Sequence, residues 1–214
     1  LFPYTTLFRS EEMNRQFDDA IITTDVGQHM MLVSQYAEIT EKKQLVMSGG
    51  LGTMGYGFPA AIGAQIGNPE KRVIAVSGDG GMQMNIQEFA TAVLEETPVI
   101  ACVFNNTYLG MVRQWQKLFY GKRYGMTNLR AGALSRRTDG AEFPEYTPDF
   151  VKLAESYGAK GIRVTKTEEI SAAFEEAKKN TKTPTLIEFI IDPEEMVYPM
   201  IKPGGTLEDM IMDC

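Results

Sequence analysis

Histidine occurs once in this sequence, at position 29, tryptophan once, at 115, and cysteine twice, at 102 and 214. So few residues, so far apart, leave no His/Cys cluster of the kind that holds structural zinc. Cys102 falls inside an apolar run and Cys214 is the last residue, which predicts free thiols in a reducing compartment and no disulfide frame. Hydrophobic runs are short. None reaches the roughly 20 residues that a bilayer-spanning helix needs. Positive charge is in deficit, with 21 Lys and Arg against 28 Asp and Glu and a net charge of −7. That balance argues against a nucleic-acid partner and against an anionic membrane surface. The remaining composition, 43% hydrophobic and 23% charged in 214 residues, gives room for one large folded domain. Asn105-Asn106-Thr107 fits the glycosylation sequon, but nothing secretory accompanies it.

The stretch Val73–Met111 carries the strongest pattern. An apolar run, Val73–Ser77, ends in Gly78-Asp79-Gly80-Gly81. A helix is predicted over Gln83–Glu95, with Ile86, Phe89, Ala90 and Val93 on one face. A second apolar run, Pro98–Phe104, ends in Asn105-Asn106. Strand, turn, helix and strand make one βαβ unit, and parallel strands bring both carboxyl ends to one edge of the sheet. Asp79 and Asn106 therefore meet where open α/β sheets bind ligands. A carboxylate and an amide oxygen are hard ligands suited to Mg2+, which takes its other ligands from phosphate. The N–H groups of the glycine turn and of the helix behind it would favour an anion.

Around this unit the chain alternates strand and helix. Strands are predicted at Ala20–Thr24, Gln44–Met47, Gly161–Val164 and Leu186–Ile191. Helices are predicted at Glu11–Phe17 (the end of one), Met30–Ala37, Pro148–Tyr157 with Gly158 as C-cap, and Thr167–Lys179 with Thr167 as N-cap. The fold class is α/β, an open parallel sheet with helices on both faces. Gly50-x-Gly52-x-x-Gly55 between a strand and a helix, with Asp79 one step later, also mimics a dinucleotide fingerprint, so an NAD-binding domain stays open on pattern alone. Pro59 fits the first turn of its helix only if that helix starts near Phe58. Residues 119–146 are long, basic and irregular, which reads as an insertion or an active-site lid.

Longer stretches carry a resemblance: Thr23–His29 (T-T-D-V-G-Q-H), Ser48–Ala64 (S-G-G-L-G-T-M-G-Y-G-F-P-A-A-I-G-A), Met84–Thr91 (M-N-I-Q-E-F-A-T) and Leu109–Gln116 (L-G-M-V-R-Q-W-Q). They resemble the C-terminal, thiamine-diphosphate-binding domain of acetolactate synthase large subunits. The resemblance covers residues 11–196 as the domain and 197–214 as a native tail. Residues 1–10, L-F-P-Y-T-T-L-F-R-S, match no element of the family and resemble a translated sequencing adapter, so the natural N-terminus is expected upstream.

The resemblance implies thiamine diphosphate and Mg2+ as cofactors, with FAD bound elsewhere in the full-length enzyme. It places Mg2+ on Asp79, Asn106 and the Tyr108 carbonyl. Cofactor contacts are implied at Gln28, His29, Gly52, Met54, Gly80, Gly81, Leu109, Gly110 and Met111, with Met54 wedged beneath the cofactor. Met30 stands where the family usually has a second glutamine. Met111, Val112 and Trp115 would line the channel for the acceptor. The implied reaction is decarboxylation of pyruvate and condensation with a second 2-keto acid, to 2-acetolactate or 2-aceto-2-hydroxybutyrate. The activating glutamate belongs to a domain absent here, so this chain alone is expected to be inactive. A second catalytic subunit, a small regulatory subunit and a bacterial cytoplasmic location are implied. Other thiamine-diphosphate carboligases, oxidases or decarboxylases share the same domain.

Overall fold

A computed structural model describes residues 5–129 and 148–212. Most of the predicted 119–146 loop, including Arg130, Arg136 and Arg137, lies outside the described residues, as does Cys214. Six strands form one parallel sheet: β1 (Ile21–Thr24), β2 (Gln44–Met47), β3 (Val73–Gly78), β4 (Ile100–Asn105), β5 (Lys160–Val164) and β6 (Thr185–Ile190). Their order is β2-β1-β3-β4-β6-β5. Strands β3 and β4 are buried along their whole length, and buried parallel strands read in sequence as unbroken apolar runs.

Alternate residues of these strands feed two cores. Ile22, Ile74, Ile100 and Ile187 face one core, closed by Val33 of α2 (Gln28–Tyr36), Phe174 of α8 (Ile170–Lys179) and Met13 of α1 (Thr5–Gln16). Ile21, Ala75, Ala101 and Leu186 face the other, closed by Phe58 of α3 (Gly57–Gly67), Phe89 of α5 (Glu88–Leu94) and Phe150 of α7 (Phe150–Ser156). Helix α3 begins at Gly57, so Pro59 sits in its first turn. Helix α1 reaches back through Thr5 into the segment read as foreign, and Ser10 is fully buried.

Three local expectations are corrected. The helix predicted over Gln83–Glu95 starts late: residues 83–87 are turns and only α5 is helical, while a separate single turn, α4 (Asp79–Met82), precedes them. The Asn85 side chain explains the break, because its Nδ2 donates to the Gly55 carbonyl at 2.8 Å and pulls the chain across to another loop. Ala90 is consequently exposed and Ala92 takes the core position. Thr167 is not an N-cap. It opens a 3-10 turn (Thr167–Glu169) capped at Lys166, where the Glu169 carboxylate accepts from the N–H groups of Thr165 and Lys166. Gly158 lies one residue past the cap residue Tyr157, with the left-handed φ of +87° that glycine tolerates.

Beyond β4, α6 (Gly110–Phe119) carries the tryptophan. Tyr108, before this helix, and Asn128, after it, form an isolated antiparallel bridge. In the tail, β7 (Met200–Ile201) pairs with β8 (Met210–Ile211). No described helix is long and apolar enough to cross a membrane.

Candidate functional site

The neighbours β1 and β3 lead in opposite directions, β1 to β2 at one edge and β3 to β4 toward the other. Their carboxyl ends form the switch point where such sheets open a crevice. Asp25 closes β1, and the sequence reading gave it no role. Its carboxylate is 1% exposed and accepts three backbone N–H groups: Val26 (2.9 Å) and Gly55 (3.1 Å) at Oδ1, and Gly57 (3.0 Å) at Oδ2. Three donors are what a buried charge requires. Gly81 must lack a side chain here, since a Cβ would sit 2.6 Å from Asp25 Oδ1. Asp25 thus ties down the glycine loop after β2 and packs against the glycine turn after β3. An acid closing a short β-branched run was the available signal.

His29 is 8% exposed, and its ring lies over two glycines. A Cβ would come 3.0 Å from Cε1 at Gly27 and 3.1 Å at Gly78. Burial depresses the ring to about 4, against the pull of Asp25, so the imidazole is neutral near pH 7, and its Nε2 has no partner. Gln28 is more committed than the sequence implied. Its Nε2 donates to Gln114 Oε1 and to the Glu195 carbonyl, both at 2.9 Å, while its Oε1 receives a long 3.5 Å bond from Asn106 Nδ2. Both amide hydrogens are therefore in use.

Asp79 follows β3 directly and is 2% exposed. Oδ1 accepts the Gly80 N–H at 2.9 Å, whereas Oδ2 is buried with no partner. Burial pushes the carboxyl up to about 7, resisted by the Gly80 N–H and helped by the charge of Glu188. An orphaned, desolvated carboxylate oxygen is what a bound cation would satisfy. The register pairs Gly78 with Phe104, so Asp79 and Asn106 emerge beside one another. Asn106 Oδ1 accepts the Tyr108 N–H at 3.0 Å. Behind the glycine turn, α4 is a single turn, and its Gly80 N–H is bonded to the Asp79 carboxylate.

These groups open on a cavity of about 430 Å3. Gln28, His29, Met54, Asp79, Gly80, Gly81, Asn106, Tyr108, Leu109, Gly110, Met111, Val112 and Trp115 all line it. Gly52 does not. It sits in an outward loop with φ +61°, its N–H bonded to Ser48, beside Leu51 at 93% exposure. Met111, Val112 and Trp115 also line an adjoining cavity of about 510 Å3 with Tyr120 and Arg123. Trp115 packs edge-on against Phe119, centroids 5.5 Å apart. The sequence reading missed Met31 and Met200 among the lining residues. Met31 could have been read from its place beside His29 and Met30, but Met200 reaches the cavity only through the tail.

Residues 25–189 match the family model described as thiamine pyrophosphate enzyme, C-terminal TPP binding domain. The chain belongs to this family. As a TPP binding domain it is 42% identical over 200 residues to a probable acetolactate synthase large subunit of Methanocaldococcus jannaschii, covering 94% of this chain and 31% of that protein. It is 44% identical over 192 residues to the acetolactate synthase large subunit of Corynebacterium glutamicum, covering 90% and 29%. Against the isozyme 3 large subunit of Escherichia coli the identity is 40% over 194 residues, covering 90% and 31%. The chain thus spans roughly a third of the length of the curated relatives it matches. The TPP-domain reading also disposes of the dinucleotide fingerprint. The Gly55 and Gly57 N–H groups that would face a pyrophosphate are consumed by Asp25.

Among the described residues no group of three His, Cys, Asp or Glu converges as a metal cluster. A cation at Asp79 would therefore complete its shell with amide and carbonyl oxygens and with its ligand's phosphates.

Proposed function

We propose that this chain is the cofactor-holding part of an acetolactate synthase large subunit, joining pyruvate-derived two-carbon units to a second 2-keto acid to give 2-acetolactate or 2-aceto-2-hydroxybutyrate. The observation that carries the cofactor reading is the partnerless Asp79 Oδ2 beside Asn106 in one cavity. Asp79, Asn106 and the Tyr108 carbonyl would hold Mg2+, and Mg2+ would anchor the diphosphate. When bound, thiamine diphosphate supplies the carbon nucleophile and electron sink for decarboxylation. The chain's own residues position and enclose it. Neutral His29 lines the cavity with its Nε2 unpartnered, and Met54 closes against Gly80, whose Cβ would lie 3.6 Å from Cε. Met111, Val112 and Trp115 form an apolar wall that would exclude water and select the acceptor by size. Gln28 would contact the diphosphate only by exchanging its present partners.

The identities of about 40% to acetolactate synthase large subunits, together with Trp115 in L-G-M-V-R-Q-W, favour this enzyme over other carboligases of the family. An activating glutamate from a second catalytic subunit, FAD on another domain and a small regulatory subunit complete the proposal, with a bacterial cytoplasmic setting. Calorimetry tests the binding part: thiamine diphosphate with Mg2+ should give heat that Asp79→Ala abolishes, and NAD should give none. The chain alone should form no acetolactate from pyruvate. Measured turnover would overturn the proposed need for the second subunit.

A further inference from the structure

Asn105 and Asn106 are neighbours of the same type, yet their side chains part. Asn106 lines the cavity, while Asn105, 5% exposed, turns into the protein. Its Nδ2 donates to Glu188 Oε1 at 2.7 Å, and its Oδ1 accepts the Thr107 N–H at 3.1 Å. Glu188 is itself anomalous, a carboxylate 2% exposed inside the apolar strand β6. Its Oε2 accepts from Arg163 Nε of β5 at 2.7 Å, and Arg163 Nη2 reaches Asp149 at 2.6 Å. The Arg163 side chain is 42% exposed, so only the Glu188 carboxylate is buried, and burying one end of an ion pair costs more than apolar packing would; its place beside this turn calls for another account.

Thr107 supplies one. It is β-branched and holds φ at +63°, a left-handed conformation such residues avoid. The turn it makes separates Asn106 from Tyr108 and is braced by backbone bonds from Leu129 to Thr107 and from Leu109 to Thr127.

We propose that Arg163, Glu188 and Asn105 form a positioning chain that locks Thr107 in its left-handed conformation and so presents the Asn106 and Tyr108 oxygens to a cation at Asp79. The inference rests on the cation reading above. None of the three residues touches the cation. Each acts through the next, Arg163 fixing Glu188, Glu188 fixing Asn105 and Asn105 fixing the turn.

The test uses Mn2+ as probe, titrated into the full chain with thiamine diphosphate and followed by electron paramagnetic resonance, with melting temperatures taken without metal. Asn105→Ala should bind Mn2+ about tenfold more weakly or worse, as lost supporting contacts of metal ligands do. Adding Thr107→Gly should recover most of that loss, because glycine takes the left-handed conformation unaided. A purely structural role would lower the melting temperature and leave Mn2+ affinity alone, and that result would overturn the proposal, as would failure of Thr107→Gly to rescue. Should Asn105→Ala not fold, Glu188→Gln keeps an acceptor for Asn105 but loses the Arg163 charge pair. It should weaken Mn2+ about threefold, and unchanged affinity would overturn the proposal. If the folded wild-type chain binds no Mn2+, the cation reading falls and this inference with it. If Asp79→Ala loses Mn2+ and Asn105→Ala keeps it, only the positioning chain falls.

Discussion

Gln114 and Val197 exchange a pair of hydrogen bonds: the Gln114 Oε1 accepts the Val197 N–H at 2.9 Å and its Nε2 donates to the Val197 carbonyl at 2.8 Å. A buried side-chain amide thus imitates a neighbouring strand and fastens the 193–197 segment to α6. Arg113, one residue earlier, donates from Nη1 to the Pro193 carbonyl at 2.9 Å and pairs with Glu194. Through Gln28, the same amide ties this segment to the floor of the cavity.

Gln114→Ala should therefore leave a buried N–H and carbonyl unpaired, costing about 1–3 kcal/mol. Its particular mark is local. The Val197 amide should exchange hydrogen far faster, while the amides of β3 and β4 keep their protection.

Asp25→Ala should destabilise the chain by about 3 kcal/mol, because three backbone donors lose a charged acceptor in a buried site. Asp25→Asn should cost less, about 1–2 kcal/mol, since one oxygen remains to accept. Urea unfolding gives both values. Equal losses in the two variants would mean that the charge matters more than the acceptors.

His29 should make the chain less stable in acid. Its folded value, about 4, lies below the ordinary 6.5, so protonation favours the unfolded chain. The contribution is absent above pH 6.5, and stability is lost as pH falls from there through 4, by about 3 kcal/mol in all. Asp79, with its raised value, slopes the opposite way. Comparing wild type with His29→Gln by urea unfolding between pH 7.5 and 4.5 isolates the ring, and the variant should show the smaller acid loss.

Asp79→Asn should separate stability from binding. Removing a desolvated charge with one unpaired oxygen should raise the stability of the metal-free chain at pH 8 by on the order of 1–3 kcal/mol. The same change should abolish the rise in melting temperature that thiamine diphosphate and Mg2+ give the wild type.

Much of the frame was legible. Strands buried on both faces must be apolar at every position, so Val73–Gly78 and Ile100–Asn105 announce themselves within about two residues of the apolar runs. The site was legible where glycine and acid mark strand ends: Gly78-Asp79 and Asn105-Asn106 meet because adjacent parallel strands share a register. Asp25 was missed because an acid before Val-Gly looks like any turn until its three donors arrive from residues up to 32 apart. The break between α4 and α5 was missed because Asn85 answers to Gly55, a distant loop that local periodicity does not contain.

The order of residues alone determined the α/β class, the βαβ unit at the centre and the pairing of Asp79 with Asn106, since these follow from side-chain period and parallel connection. Tertiary structure alone decided that the Asp79 Oδ2 is left without a partner, that His29 is neutral and that Gln28 spends its amide on Gln114 and Glu195. Desolvation and hydrogen-bond competition depend on what surrounds an atom in space, and the chain brings those surroundings from segments far apart in sequence.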